Sequence, residues 1–243
     1  MIKRKIKTKV NAVAGNPARW KFKLLNTPCF LLGNSPSISE QPLHLLKDHF
    51  TIGINKAFKL IDPTLLMWQD IEFWYTDHKQ IRKLKAIKYC RNVSDPKSKF
   101  VHFSIRSGAF KLPNNPKTLY GRGATGPLAF QLAWVLGCNP IVLLGMDCKY
   151  KGDKTDFYGK NPFHKPHTLK NCNKGLKWIR SWSGDMEEIN LKQCPYTLKR
   201  NIISCSQDSV FDEHHTLEEA IELCKPNTSE KFNREYFNNL LGM

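Results

Sequence analysis

Three stretches of the chain share one pattern, a short unbroken apolar run that stops at a small, amide or acidic residue. Phe30-Leu31-Leu32 stops at Gly33-Asn34-Ser35-Pro36-Ser37, Thr51-Ile52-Gly53-Ile54 at Asn55-Lys56, and Ile141-Val142-Leu143-Leu144 at Gly145-Met146-Asp147. Runs that are apolar at every position, rather than at every second one, are the mark of strands buried on both faces. The pattern predicts strands over 28–34, 50–54 and 141–145. Similar but weaker runs predict further strands over 65–69, which closes at Gln69-Asp70, over 99–103 and over 201–206.

Between these runs the periodicity changes. Ser35–Glu40 reads as a turn into a helix, with Ser37 or Ser39 as N-cap. Phe73-Trp74-Tyr75 leads into a basic helix over 78–89. An apolar helix over 127–136 is closed by Gly137. Helical spacing recurs over 169–182, 217–223 and 233–241. Alternation of strand and helix predicts an α/β chain with a Rossmann-like, doubly wound, mostly parallel sheet. Residues 148–168, polar, aromatic and rich in Gly and Pro, read as a lid segment. The expected division is a basic N-terminal arm over 1–25, its end anchored by Trp20 and Phe22, and one domain over 26–243. In such sheets ligands bind outside the carboxyl ends of the strands, and three of these ends suggest one nucleotide-sized pocket.

Composition narrows the class. The chain has 243 residues, 41% of them hydrophobic, enough for one full core. No run approaches the roughly twenty apolar residues needed to span a bilayer, and the basic start lacks the apolar stretch of a secretory signal. The expectation is a cytoplasmic protein with no membrane span. Eight cysteines occur without a C-x-x-C pair, so a disulfide framework or zinc site is disfavoured, and Cys29 and Cys138 read as small core residues.

Charge adds a partner. The formal net charge is +17, and the first 23 residues carry eight Lys or Arg with no acid. The rest of the chain is still strongly basic, which fits a polyanionic partner such as nucleic acid, acidic lipid or anionic glycan.

Four segments carry candidate chemistry. Gly33, Asn34 and Ser35 form a loop whose backbone can approach a phosphate, although it is not the dinucleotide G-x-G-x-x-G fingerprint. Arg122-Gly123-Ala124-Thr125-Gly126 opens a helix and offers a forked cation, a hydroxyl and a helix N-terminus to an anion. It lacks the G-K-[ST] ending of an ATP-hydrolysing loop. Tyr150 and Tyr158 offer phenols to a leaving phosphate. Histidines in His164-Lys165-Pro166-His167 are placed for a general base, whereas His44 and His214-His215 read as structural or solvated. No D-x-D triplet is present, and Asp153-x-x-Asp156 has a different spacing, so no metal site and no separate cofactor are expected.

Together these motifs resemble, over about residues 28–210, the bacterial sialyltransferases of glycosyltransferase family 42 and related Rossmann-like glycosyltransferases. Gly33-Asn34-Ser35-Pro36-Ser37 is similar to that family's G-N-G-P-S loop, Arg122-x-x-Thr125-Gly126 to its R-x-x-S-G, and Leu144-Gly145-Met146-Asp147 to its strand end. The resemblance implies a metal-independent, inverting transfer of a sugar from a nucleotide-sugar to an acceptor hydroxyl. His167 would be the base, Tyr150 and Tyr158 would assist the leaving phosphate, and Arg122 would complete the catalytic set. Gly33, Asn34, Ser35, Asn55, Gln69, Asp70, Thr125, Gly126 and Asp147 would bind substrate. The basic surface points to an anionic acceptor, either hydroxymethylated viral DNA or an anionic glycan. A pyrophosphokinase-like phosphotransferase on the same scaffold and a non-catalytic nucleic-acid-binding protein are the alternatives.

Overall fold

A computed structural model describes residues 17–91, 93, 95, 97–98, 100–121, 123–149, 151–161, 168–182, 186–191, 194–199, 201–206, 209–211, 213–225 and 232–240. Seven strands form one all-parallel sheet: β1 (Cys29–Leu32), β2 (Phe50–Ile54), β3 (Leu65–Trp68), β4 (Ile87–Cys90), β5 (Phe100–His102), β8 (Ile141–Leu144) and β11 (Ile202–Ser204). Their order is β11-β8-β1-β2-β3-β4-β5. The chain therefore winds outward from β1 through β5, then returns past β1 and winds the other way through β8 and β11. β6 (Ser104–Arg106) pairs in parallel with β7 (Thr118–Tyr120), and β9 (Met186–Leu191) pairs antiparallel with β10 (Cys194–Lys199), each as a separate two-stranded ladder.

Successive strand residues face opposite sides of the sheet, and both sides are covered. Leu31, Ile52, Met67 and Leu143 pack with α2 (Thr125–Leu136) and α3 (Thr168–Arg180). On the other side, Phe30, Leu32, Val142 and Leu144 pack with α4 (Leu217–Cys224), and Leu66, Trp68 and Phe100 pack with α1 (Ile71–Ile81). α5 (Arg234–Leu240) returns Phe237 to the first core, against Phe50. This is the arrangement of a Rossmann-like α/β fold. No helix among the described residues is long and apolar enough to cross a membrane.

Two expected elements are replaced. The helix expected over 78–89 is instead α1 at 71–81 followed by β4 at 87–90. Phe73, Trp74, Asp77 and Ile81 already form the buried helical face, so the aromatic stretch lies within the helix rather than ahead of it. Ile87, Tyr89 and Cys90 are then buried as a strand. The helix expected after Ser35 is replaced by two 3₁₀ segments, Pro36–Glu40 and Leu43–Asp48. Neither Ser37 nor Ser39 caps a helix: the Ser37 hydroxyl donates to Asp147, and that of Ser39 donates to the Pro36 carbonyl.

The end of the basic arm is part of the domain. Trp20 is fully buried, while the Phe22, Leu24 and Asn26 amides donate to the last carbonyls of α2 and to that of Gly137. Gly137 ends α2 at φ 92°, the left-handed conformation that glycine adopts without a side-chain clash. Cys29 and Cys138 are both fully buried, as their apolar surroundings imply.

Candidate functional site

The winding reverses between β1 and β8, which leaves a crevice beyond their carboxyl ends. Two glycines let the strand ends close together there. The Gly33 amide donates to the Leu144 carbonyl at 2.8 Å, and a Cβ on Gly33 would stand 2.1 Å from the Gly145 carbonyl oxygen. Gly145 itself has φ +60°, and a Cβ on it would meet Ile38 at 2.6 Å. A side chain at Gly33 would force the strand ends apart, and one at Gly145 would displace Ile38.

The β1 loop is then fixed to β8 by side chains. The Ser37 hydroxyl donates to Asp147 Oδ1 at 2.6 Å, the Ser37 amide to Oδ2 at 3.3 Å, and the Asp147 amide to Ser35 Oγ at 3.1 Å. The structure thus spends the Asp147 carboxylate, expected to touch substrate, on holding the loop.

Beyond this junction lies a cleft of about 660 Å³. Of the residues singled out from sequence, Gly33, Asn34, Ser35, Asn55, Gln69, Asp70, Thr125, Gly126 and Tyr158 all line it, drawn from the ends of β1, β2 and β3, the start of α2 and the segment after β8. Asn34 Nδ2 donates to the Ile54 carbonyl at 2.8 Å, while Asn34 Oδ1 and Asn55 Oδ1 are buried acceptors without a partner among the described residues. Such atoms are costly to leave unpaired and are satisfied by a ligand donor or a water. Asn55 holds φ 48°, a left-handed conformation that asparagine tolerates better than most residues. Gln69 Nε2 donates to Thr125 Oγ1 at 3.0 Å, joining the end of β3 to the first turn of α2. Gly123 and Ala124, which lead into α2, and Pro127 in its first turn also line the cleft, and the first amides of a helix, Pro127 apart, have no intrahelical acceptor.

Residues 151–161 make two tight turns, bridged at Lys151–Lys154 and Asp156–Gly159, and Thr155, Asp156, Tyr158 and Asn161 line the cleft. The Phe157 amide donates to the Asn34 carbonyl at 2.7 Å and anchors the segment to the β1 loop. The Tyr158 ring lies 4.8 Å from Lys56 Nζ, and its phenol is hydrogen bonded to Asp156. Burial, then the Asp156 charge and hydrogen bond, push the phenol above its ordinary value, so it is a neutral O–H donor at physiological pH. His167, Tyr150 and Arg122 lie outside the described residues, as does the stretch 162–167 of the expected lid. α3, which starts directly after His167, contributes Leu169, Cys172 and Leu176 to the cleft wall.

Several lining residues were not singled out as site residues from the sequence. Glu72 and Thr76 follow from placing α1 correctly, while Lys56 stands just after the run of β2 that the sequence already located. Cys148 and Cys172 belong to no short motif, yet the fold brings their thiols into hydrogen-bond contact on the cleft wall. That contact lowers Cys172 and raises Cys148 from their ordinary values. Among the described residues, no group of three or more His, Cys, Asp or Glu side chains is placed to hold a metal ion. His44 and His214 are exposed and His215 is half-buried, with none of them on this cleft.

Comparison with known proteins found no matching family model, no matching curated protein and no matching solved structure.

Proposed function

We propose that this chain is a metal-independent inverting glycosyltransferase that uses a nucleotide-sugar. The observation that carries the reading is the convergence on the cleft of Asn34, Asn55 and the Gln69–Thr125 pair, in which Thr125 belongs to the first turn of α2. Neutral amide and hydroxyl groups suit a nucleoside, and backbone amides at a helix N-terminus suit its phosphate. The residue order along the chain supports the resemblance to family 42 sialyltransferases.

In this reading His167 takes the proton from the acceptor hydroxyl as the hydroxyl oxygen attacks the anomeric carbon. The bond from that carbon to the phosphate oxygen breaks, and the phosphate leaves as an anion. Tyr158, with Tyr150 and Arg122, stabilises the departing phosphate through hydrogen bonds and charge. The Tyr158 phenol exchanges its Asp156 acceptor for the leaving oxygen. The segment 151–161 acts as a lid that excludes water. The acceptor is anionic, a hydroxymethylated base in viral DNA or an anionic glycan, in keeping with the charge of +17.

The test is transfer of radiolabelled sugar from a panel of nucleotide-sugars in EDTA, with His167→Ala as the control. A loss of about 10²-fold or more in that variant is the expected size for a positioned base. An unchanged rate would overturn the assignment. A Mg²⁺-dependent phosphotransferase is the second reading, because Asp70 and Glu72 place two carboxylates on the cleft wall. Activity that disappears in EDTA would favour it.

A further inference from the structure

Cys148 follows the end of β8 and Cys172 lies in the second turn of α3, yet the fold sets their thiols in hydrogen-bond contact on the cleft wall. Two further features fix that contact. Asn173, the neighbour of Cys172, donates its side-chain amide to the Cys148 carbonyl at 3.2 Å, which ties the α3 turn to the segment after β8 beside the thiols. Cys148 itself is held at φ 51°, a left-handed conformation unfavourable for a residue with a side chain. Such strain persists only where the surrounding structure imposes it, and it gathers at functional sites.

A second thiol pair shows what is particular to this one. Cys29 and Cys138 are also in hydrogen-bond contact, but both are fully buried in the core that packs against α2. Cys90, Cys205 and Cys224 are buried as well. Cys148 and Cys172 are half-buried and border the cleft, where a small oxidant can reach them. The pair is also polarised. The Cys148 S–H donates to Cys172, which lowers Cys172 from its ordinary value against the opposing effects of burial and Asp156. The same contact, with burial and Asp147, raises Cys148. Cys172 is thus the nucleophile and Cys148 its proton-bearing neighbour.

We infer that Cys172 and Cys148 form a reversible redox pair on the cleft wall, oxidised to a disulfide by a hydroperoxide and restored by a thiol reductant. The Cys172 thiolate attacks one peroxide oxygen, the O–O bond breaks, and the other oxygen leaves as hydroxide and takes up a proton, so Cys172 becomes a sulfenic acid. The Cys148 sulfur then attacks the Cys172 sulfur, the S–O bond breaks, and the departing hydroxide leaves as water with the Cys148 proton. The two thiols give up two electrons, and the peroxide takes them. A disulfide is about 2.05 Å long, shorter than any contact between unbonded sulfurs, so its formation draws α3 toward the end of β8. Both elements wall the cleft, which makes the shape of that wall depend on redox state. The inference does not depend on which reaction the cleft performs.

The experiment treats the reduced full chain with increasing hydrogen peroxide at pH 7.5, blocks the remaining thiols with N-ethylmaleimide and maps the peptides by mass spectrometry without reductant. The Cys148–Cys172 cross-link should be the first product, form about tenfold or more faster than Cys90, Cys205 or Cys224 is oxidised, and vanish on dithiothreitol. Cys148→Ser should let the Cys172 sulfenic acid accumulate for trapping by dimedone, and Cys172→Ser should leave Cys148 unoxidised at the same dose. A first cross-link through another cysteine, or Cys172 passing to sulfinic acid in the parent chain with no bond to Cys148, would overturn the pair. Dimedone labelling of Cys148 in Cys172→Ser at the parent rate would overturn the assigned order of attack. Nucleotide-induced thermal shifts are read on the oxidised and reduced chain and should differ between them; equal, non-zero shifts would overturn the coupling of the pair to the cleft. A pair that forms as described in a protein that no nucleotide stabilises would uphold the pair and remove the transferase reading.

Discussion

Ser37 and Asp147 stand 110 positions apart in sequence, yet the Ser37 hydroxyl meets Asp147 Oδ1 at 2.6 Å and its amide meets Oδ2 at 3.3 Å. One carboxylate thus holds the β1 loop to the end of β8 at the point where the winding of the sheet reverses. A part-buried pair of hydrogen bonds to a charged group stabilises by about 1.5–3 kcal/mol each at most, and its loss leaves the remaining donors unpaired.

Asp147→Ala should accordingly lower the thermal midpoint by about 6 °C to at most about 24 °C, taking about 2–4 °C per kcal/mol for a chain of this size. It should also weaken nucleotide binding, since Gly33, Asn34 and Ser35 sit on the loop it holds. Thermal denaturation with and without nucleotide measures both. A variant with normal stability and normal nucleotide response would show that the loop holds its shape unaided.

The Gln69–Thr125 pair makes a sharper distinction between hydroxyl and methyl. Thr125→Ser keeps the acceptor for Gln69 Nε2 and should bind nucleotide within about threefold of the parent. Thr125→Ala removes it and leaves the Gln69 amide without its partner, so affinity should fall about tenfold, equivalent to about 1.4 kcal/mol. Titration calorimetry of the two variants decides it, and equal affinities would mean that the pair does not touch the ligand.

Much of this site was legible in the sequence because it is carried by strand ends. Apolar runs at 29–32, 50–54 and 141–144 are buried at every position, so their pattern located the strands, and the small and amide residues after them became the cleft. α1 and β4 were not legible in the same way. Lys79, Arg82, Lys83 and Lys85 extend a polar helical pattern past Ile81, while only tertiary burial reveals Ile87–Cys90 as a strand. β9 and β10 carry no long apolar run, and their pairing depends on a hairpin that local pattern does not specify. Asp147 was legible as a strand-end acid, but its use depended on Ser37, which sequence separation hides. The Cys148–Cys172 contact was hidden for the same reason.

That thiol pair gives a reporter of cleft occupancy. The Cys148 hydrogen bond holds Cys172 below its ordinary value, whereas burial pushes Cys90, Cys205 and Cys224 up to about 12. Among the described cysteines, Cys172 should therefore react first with iodoacetamide at pH 7.5. Bound nucleotide should slow that reaction by shielding the cleft. Peptide mass spectrometry over a time course reads it, and faster labelling of Cys205 or Cys224 would contradict the assignment.

Stability should fall on both sides of a plateau in pH. Burial raises Cys90, Cys205 and Cys224 to about 12 from 9.0, and raises Tyr89 and Tyr158 from 10.0. Below pH 9 the folded and unfolded chains both keep these protons. Above it the unfolded chain releases them while the folded chain does not, so stability declines as pH rises. Burial lowers His49 from 6.5, so below that pH the unfolded chain gains a proton that the folded chain resists. Urea midpoints should thus be flat from about pH 7 to 9 and decline beyond each end. A midpoint that rises from pH 9 to 10 would contradict the burial of these thiols and phenols.

The most direct test of the account is a thermal-shift screen in EDTA against CMP, UDP, GDP, ADP and their common sugar conjugates. Ligand at 100 times its dissociation constant stabilises by about 2.7 kcal/mol, which for a chain of this size is a shift of about 5–10 °C. The account predicts such a shift for one nucleotide class, its sugar conjugate included, with the shift lost in Thr125→Ala and retained in Thr125→Ser. No shift with any nucleotide at millimolar concentration would contradict the claim that the crevice between β1 and β8 is a nucleotide-sugar site.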